Sequence, residues 1–444
     1  MTALAAGGVV ALSAAMFAGS AVAQAPQTVD RHVVVLVDFR NLSLKDPKKA
    51  HDDAARNFFG RTDSLASYYA TNSGGRMSVV PAQGDGVLGP FTIDMDDTEA
   101  CDTGQMEKLA RKAVEGVSYD RISIVMHSKY CSNWWGLGSM PGKTTWLHEG
   151  AVSDRAAIIH EVGHNLGFAH QVRQVCAVGS FTSCTDDGYS NRTPMGGGGE
   201  KKGLSAPELL SQKWLTSAQT STPTATTTVH LTPLHAPGAA GTRAVDLPLG
   251  TAGDRIVVEY RAPDPGTPDV SLTAGVDVYR VPKGKYDHAV MISNVKHDAQ
   301  GVAGSFAGQS SLADTGAGLA LSVTRTGADG ADVHIRFGDL PGTASSAPAG
   351  PSPSVGIGTG PTNEPGPKES PVSTVVPGRT ATTTSSEDPL ETETETAAAP
   401  TAGATLASTG TSVTALAVTG LVLIVEGAAA AVIARRRRTG HRRH

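Results

Sequence analysis

The sequence predicts an α+β domain, a twisted mixed sheet with one chemistry-bearing helix, followed by a small all-β domain, a disordered stalk and a C-terminal transmembrane helix. Three observations predict it. Residues 31 to 128 alternate β-branched runs with amphipathic helical stretches. Residues 217 to 338 alternate apolar and polar positions between Gly, Pro and Asp turns. Beyond 341 the chain loses its apolar content, then ends in a long apolar span and a run of arginines.

The first 23 residues are apolar and uncharged and end in Ala21-Val22-Ala23, the small-x-small pattern of a signal-peptidase site. No Lys or Arg precedes the apolar run, so the reading rests on the cleavage site. The first domain is assigned to residues 24–216. Its opening run "RHVVVLVDF" (31 to 39) has the look of a buried strand. It begins so soon after the cleavage point that no inhibitory propeptide is expected. A helical stretch around 51 to 71, a strand in "GRMSVVPAQ", a helix over 103 to 117 and a strand over 120 to 128 follow.

Export bears on the cysteines. Cys101, Cys131, Cys176 and Cys184 are an even set in a chain that leaves the reducing cytoplasm, so two disulfides are expected. Cys101–Cys131 with Cys176–Cys184 is the more local of the three pairings that four cysteines allow.

The all-β domain spans 217–338, with a hairpin around Gly327 to Gly330. Residues 339–405 form the stalk, rich in Pro, Ser, Thr and Gly. Residues 406–444 hold "LASTG", an apolar span at 413–434 and the basic tail. That span is long enough to cross a bilayer, and the arginines hold its end on the cytoplasmic side. Glu426 within it is read as a single tolerated carboxylate. A net charge of -5 and the lack of a basic patch interleaved with aromatics exclude nucleic acid as a partner.

Residues 160 to 170 read "HEVGHNLGFAH". Ser153 and Asp154 are candidate N-caps for the helix that carries them. His160 and His164, four apart, share one face of that helix and reach one ion. Gly167 permits the positive φ that ends the helix and turns His170 back as a third ligand. Three imidazoles on Zn²⁺ leave a position open for water, the arrangement of a catalytic site. Glu161, beside the first ligand, is placed to take a proton from that water.

The pattern H-E-x-x-H-x-x-G-x-x-H resembles that of the metzincin metallopeptidases. Their methionine turn has its counterpart in "YSNRTPMGGGG", with Met195 as the apolar floor under the imidazoles. "SYYATNSGGRMSV", "PMGGG", "LSAPELLSQKWL" and "VVEYR…GVDVYRV" are further similar to the gametolysin-like peptidases and their bacterial relatives, over roughly residues 31 to 285. The resemblance implies a metzincin-like fold for the first domain. Gly197 stands where some metzincins carry a tyrosine ligand; Tyr189 is read as an exposed loop tyrosine. "GKTTWLHEG" (142 to 150) is read as a short edge strand holding extended substrate, with Trp146 and Leu147 as candidate cleft residues and core packing as the alternative for both. The tail resembles a sortase sorting signal of the LAxTG type, which implies cleavage between Thr409 and Gly410 and joining of Thr409 to a Gram-positive cell wall.

The expectation is therefore a secreted, surface-anchored zinc endopeptidase that hydrolyses extracellular proteins, with Glu161 as general base for attack by a zinc-activated water. One Zn²⁺ is the cofactor. Ca²⁺ has no support beyond Asp186 and Asp187 in a loop. Protein or peptide substrate, sortase and the membrane are the expected partners. The alternatives are an adhesin with a vestigial zinc site and a zinc amidase acting on cell-wall peptides.

Overall fold

The computed structural model describes residues 27–131, 133–238, 240–296 and 310–340, together with the backbone of 405–408. The expected signal peptide, nearly all of the stalk, Thr409, Gly410 and the apolar span 413–434 lie outside the described residues. Among the described residues no helix is long and apolar enough to cross a membrane.

The run "HVVVLVD" forms the centre of a mostly parallel sheet. Strand β1 (Thr28–Asp38) pairs parallel with β2 (Met77–Pro81) along its first half and with β3 (Val87–Thr92) along its second. On its other side lies β4 (Arg121–Met126), also parallel. The sheet continues beyond β4 through β6 (Thr144–His148), which pairs parallel with β4, to β5 (Gly136–Met140), which runs antiparallel to β6.

A parallel sheet is covered on both faces, which is why β1 reads as a continuous apolar run. Val34 and Leu36 point into a core with Ala54 and Phe58 of helix α1 (Pro47–Phe59) and Tyr69 of α2 (Leu65–Asn72). Val33, Val35 and Val37 point the other way, onto Met106 and Ala110 of α3 (Thr103–Ala113). The helical stretch expected around 51 to 71 is thus two helices. Ser64 separates them as the N-cap of α2, accepting from Ser67 N at 3.1 Å.

Two more helices, α4 (Arg155–Asn165) and α5 (Ala206–Ser211), pack in the first of these cores. A second seven-stranded sheet contains β7 (Val172–Cys176), β8 (Cys184–Tyr189), β9 (Thr220–Ser221), β11 (Ala244–Leu249), β12 (Asp254–Arg261), β13 (Gly275–Val281) and β14 (Val290–Ser293). A four-stranded sheet of β10 (Thr227–Leu231), β15 (Ser311–Asp314), β16 (Leu319–Gly327) and β17 (Gly330–Phe337) packs on it. Ile256, Val258 and Val278 of one sheet meet Leu321, Val333 and Ile335 of the other. Gly327 pairs with Gly330 at the expected hairpin.

The boundary expected at 216/217 does not separate two bodies. β7 and β8, from before it, are strands of the second sheet, and β7 pairs parallel with β14 in the register Arg173↔Met291. Val257, Tyr279 and Met291 turn their side chains away from the sandwich and into the core that holds α4. The cysteines pair as Cys101–Cys131 and Cys176–Cys184. A last short strand, β18 (Thr405–Ser408), pairs antiparallel with β5 along the side that β6 leaves open.

Candidate active site

Of the two N-cap candidates, Asp154 caps α4, accepting from Ala156 N at 3.0 Å and Ala157 N at 3.4 Å. Ser153 is used elsewhere, donating to Asp53. The helix ends in a Schellman motif. Gly167 has φ +98, its N–H donates to His164 O at 2.9 Å, and Phe168 N–H donates to Gly163 O at 3.1 Å. Phe168 is buried against the helix it terminates.

That turn does two things. It brings His170 back beside the helix, with its ring centroid 5.1 Å from that of His160 and 4.9 Å from that of His164. It also aims Phe168 O at His164 Nδ1, 2.7 Å away. His160 Nδ1 faces Pro194 O at 2.9 Å. A carbonyl only accepts, so in both rings Nδ1 carries the proton and Nε2 carries the lone pair.

The lone pairs converge. The Nε2 atoms of His160 and His170 are 3.2 Å apart, close to the edge of a tetrahedron built on Zn–N bonds of about 2.0–2.1 Å. His164 Nε2 is buried and has no hydrogen-bond partner among the described residues. Burial holds His160 at about 3 and His164 at about 4, and it lowers His170 as well. Neutral imidazoles aimed at one point repel unless a cation lies between them. Zn²⁺ fits this donor set, and its usual second shell is present in the two carbonyls. Among the described residues no other group of three or more metal-ligating side chains comes together.

Met195 sits in a 3-10 turn, Pro194–Gly196, with its side chain 1% exposed. The turn serves the site through its backbone too: Pro194 O holds His160, and Met195 O accepts Gln171 N–H at 3.0 Å, next to His170. Glu161 is likewise buried, on the side of α4 that faces β5. There Gly136 and Gly138 let the strand backbone approach. A Cβ on Gly136 would lie 2.7 Å from Glu161 Cγ, and one on Gly138 would overlap Glu161 O.

This contact corrects one expectation. The strand beside the site is β5, between β18 and β6, whereas Thr144 to His148 form β6, one strand further into the sheet. Trp146 and Leu147 are core residues, 3% and 0% exposed, and the Trp146 indole N–H donates to Thr103 O at 3.1 Å. The available signal for β5 is the Gly-x-Gly of "GLGSM", which marks a strand that another element approaches closely.

Tyr189 is 46% exposed, as a loop tyrosine would be, yet its ring stands edge-on to His170 with centroids 5.6 Å apart. Gly197 closes the methionine turn with φ +77. Asp187 faces the buried Arg173 at 3.7 Å, and Asp186 is exposed on β8.

Residues 98–233 match the model of the gametolysin peptidase M11 family, a stretch that includes α3, the three histidines, the methionine turn and α5. The match supports a gametolysin-like metallopeptidase. Crystal structures of wild-type OgpA from Akkermansia muciniphila in two crystal forms are similar at a TM-score of 0.30 with 11% identity and 0.29 with 9% identity. They cover 59% of this chain and 86% and 85% of that protein. No curated protein matches the chain.

Proposed function

We propose that the protein is an exported, surface-anchored zinc endopeptidase. The observation that carries this reading is the convergence of His160, His164 and His170, each helix imidazole fixed by a backbone carbonyl, beside a buried glutamate on the same helix. Zn²⁺, when bound, supplies a Lewis acid for the scissile carbonyl and lowers the pKa of water.

The chain's own residues do the rest. Glu161 takes a proton from the attacking water and delivers it to the leaving amine. Met195 and the Pro194 carbonyl hold the ligand rings in place. The outer side of β5, where β18 pairs, is the backbone edge that an extended peptide takes in β18's place, main chain to main chain. Two disulfides support an oxidising compartment. The signal-like N-terminus and the LASTG-span-arginine tail support delivery to, and sortase attachment at, a Gram-positive surface.

The test is Glu161→Gln in the full chain. Elemental analysis should find about one zinc in wild type and variant alike, while chelator-sensitive hydrolysis of casein falls by about 10²- to 10⁴-fold. Undiminished hydrolysis by the variant would refute the assignment. Release of peptidoglycan fragments without casein hydrolysis would move the substrate to cell-wall peptides.

A further inference from the structure

The segment that pairs with β5 belongs to the sorting pentapeptide. β18 lies antiparallel to β5 in the register Thr405↔Met140, Leu406↔Ser139, Ala407↔Gly138 and Ser408↔Leu137. Leu406, Ala407 and Ser408 are the first three residues of "LASTG". On its other side β5 pairs with β6, and Gly136 and Gly138 lie against Glu161 and His164. β18 therefore takes the one row of N–H and C=O groups that β5 has to offer, directly beside the catalytic helix.

An unpaired sheet edge is a template for any extended strand, and strand addition draws its affinity from main-chain hydrogen bonds that every peptide carries. A substrate peptide and β18 thus compete for the same groups. Four residues pair weakly on their own. A segment joined covalently to the domain, however, presents itself at an effective concentration in the millimolar range.

We propose that Thr405–Ser408 is a built-in occupant of the substrate edge, so that the chain's own sorting segment closes the cleft in cis until the tail is drawn away. The inference rests on the peptidase reading for what the edge does, but not for whether the segment sits there. It has a reciprocal consequence. A sorting segment engaged by a second protein cannot pair with β5, so engagement of the tail uncovers the cleft, and a ligand held in the cleft frees the tail.

Two measurements on the full chain test it. The first is a cross-link that needs no activity. Directly opposed residues of an antiparallel ladder bring their Cβ atoms to about 4.5–5.5 Å, near disulfide range. The pair Thr405→Cys with Met140→Cys should form a disulfide, seen as linked peptides by mass spectrometry. The out-of-register pair Ser408→Cys with Met140→Cys should not. Absence of the first link, or equal yield of both, would overturn the docking.

The second measurement is peptide hydrolysis by the double variant Leu406→Pro, Ala407→Pro, which removes whichever of these two consecutive N–H groups faces β5 without touching the site. KM should fall by about tenfold with kcat unchanged, because a tethered competitor has been removed. An unchanged KM would overturn the inhibitory role. If neither form shows chelator-sensitive hydrolysis, the peptidase reading fails and the cross-link still decides the docking.

Discussion

Gly163 makes room for Met195: a Cβ placed on this glycine would overlap the methionine sulfur, which lies under the turn of α4 between His160 and His164. The glycine before His164 and the methionine of the distant turn therefore form one packing unit. Neither side has free space, since Met195 is 1% exposed and a Cβ on Gly163 would also lie 3.4 Å from the Tyr69 hydroxyl.

Gly163→Ala sets two effects against each other. Alanine favours the helix by about 1 kcal/mol, while an added methyl in a filled core costs about 1–3 kcal/mol. The fold should lose little, and the strain should appear in the ligand rings. Zinc affinity is expected to fall by about 10- to 100-fold, as for loss of an outer-shell support. Met195→Leu conserves volume and should retain the metal. Competition with a chromophoric chelator measures both, and an unchanged affinity in Gly163→Ala would show that the contact does not position the ligands.

The two glycines of β5 should respond differently to the same substitution. On Gly138 a Cβ meets the backbone carbonyl of Glu161, which cannot move without the helix. Gly138→Ala should destabilise the fold by about 1–3 kcal/mol, with a clear drop in Tm. On Gly136 the Cβ meets the Glu161 side chain, which can swing away. Gly136→Ala should keep its Tm and lose kcat, because Glu161, the proposed base, leaves its position. Equal Tm values with equal kcat values in the two variants would contradict this division.

These glycines also mark where sequence reading stops. The run at β1, the helix over the first two histidines, the turn at Gly167 and the partner of each cysteine are all legible, because each depends on residues near in sequence or on a pattern with few solutions. The end of the sheet is not. β5 has no β-branched run and follows an irregular segment, so the neighbouring "TTWLH" is the more strand-like stretch, and Trp146 and Leu147 take on the look of cleft residues. The junction at 216 is hidden for another reason. β7 pairs with β14 more than a hundred residues away, and no local signal in "VRQVC" reveals a parallel partner in the second half of the chain. The carbonyls of Phe168 and Pro194 escape as well, since backbone acceptors have no residue-type signature.

Glu208 ties the methionine turn to α5 and gives stability a pH dependence. Its carboxylate accepts Ser205 N–H at 2.6 Å, the Ser205 hydroxyl at 3.0 Å and the Thr193 hydroxyl at 3.3 Å, yet burial dominates and pushes it up to about 7 from 4.5. The folded state then keeps a proton that the unfolded chain has released. This group stabilises most fully below pH 4.5, and its contribution is lost as pH rises through about 7. His235, buried and lowered to about 4, acts in the opposite direction over an overlapping range. The difference between Glu208→Gln and wild type isolates the carboxyl. The variant should gain in relative Tm as pH rises from 5 to 7, and a constant difference across that range would exclude Glu208 as the titrating group.

Tyr189 is a further side chain against His170, one of the proposed metal ligands. It ends β8 opposite Val172, in a hairpin that Cys176–Cys184 closes at its far end, so its ring is held against His170 by backbone pairing rather than by burial. An edge-to-face aromatic pair contributes about 0.5–1.5 kcal/mol, up to about tenfold in an equilibrium constant. Tyr189→Ala should therefore loosen zinc by a few-fold to tenfold and lower activity in proportion at limiting metal. Tyr189→Phe keeps the ring and should match wild type in both measurements. If Tyr189→Phe instead binds zinc normally and loses kcat, the hydroxyl acts on the reacting atoms, and the tyrosine would belong with Glu161 in the chemistry rather than with Met195 in the support of the ligands.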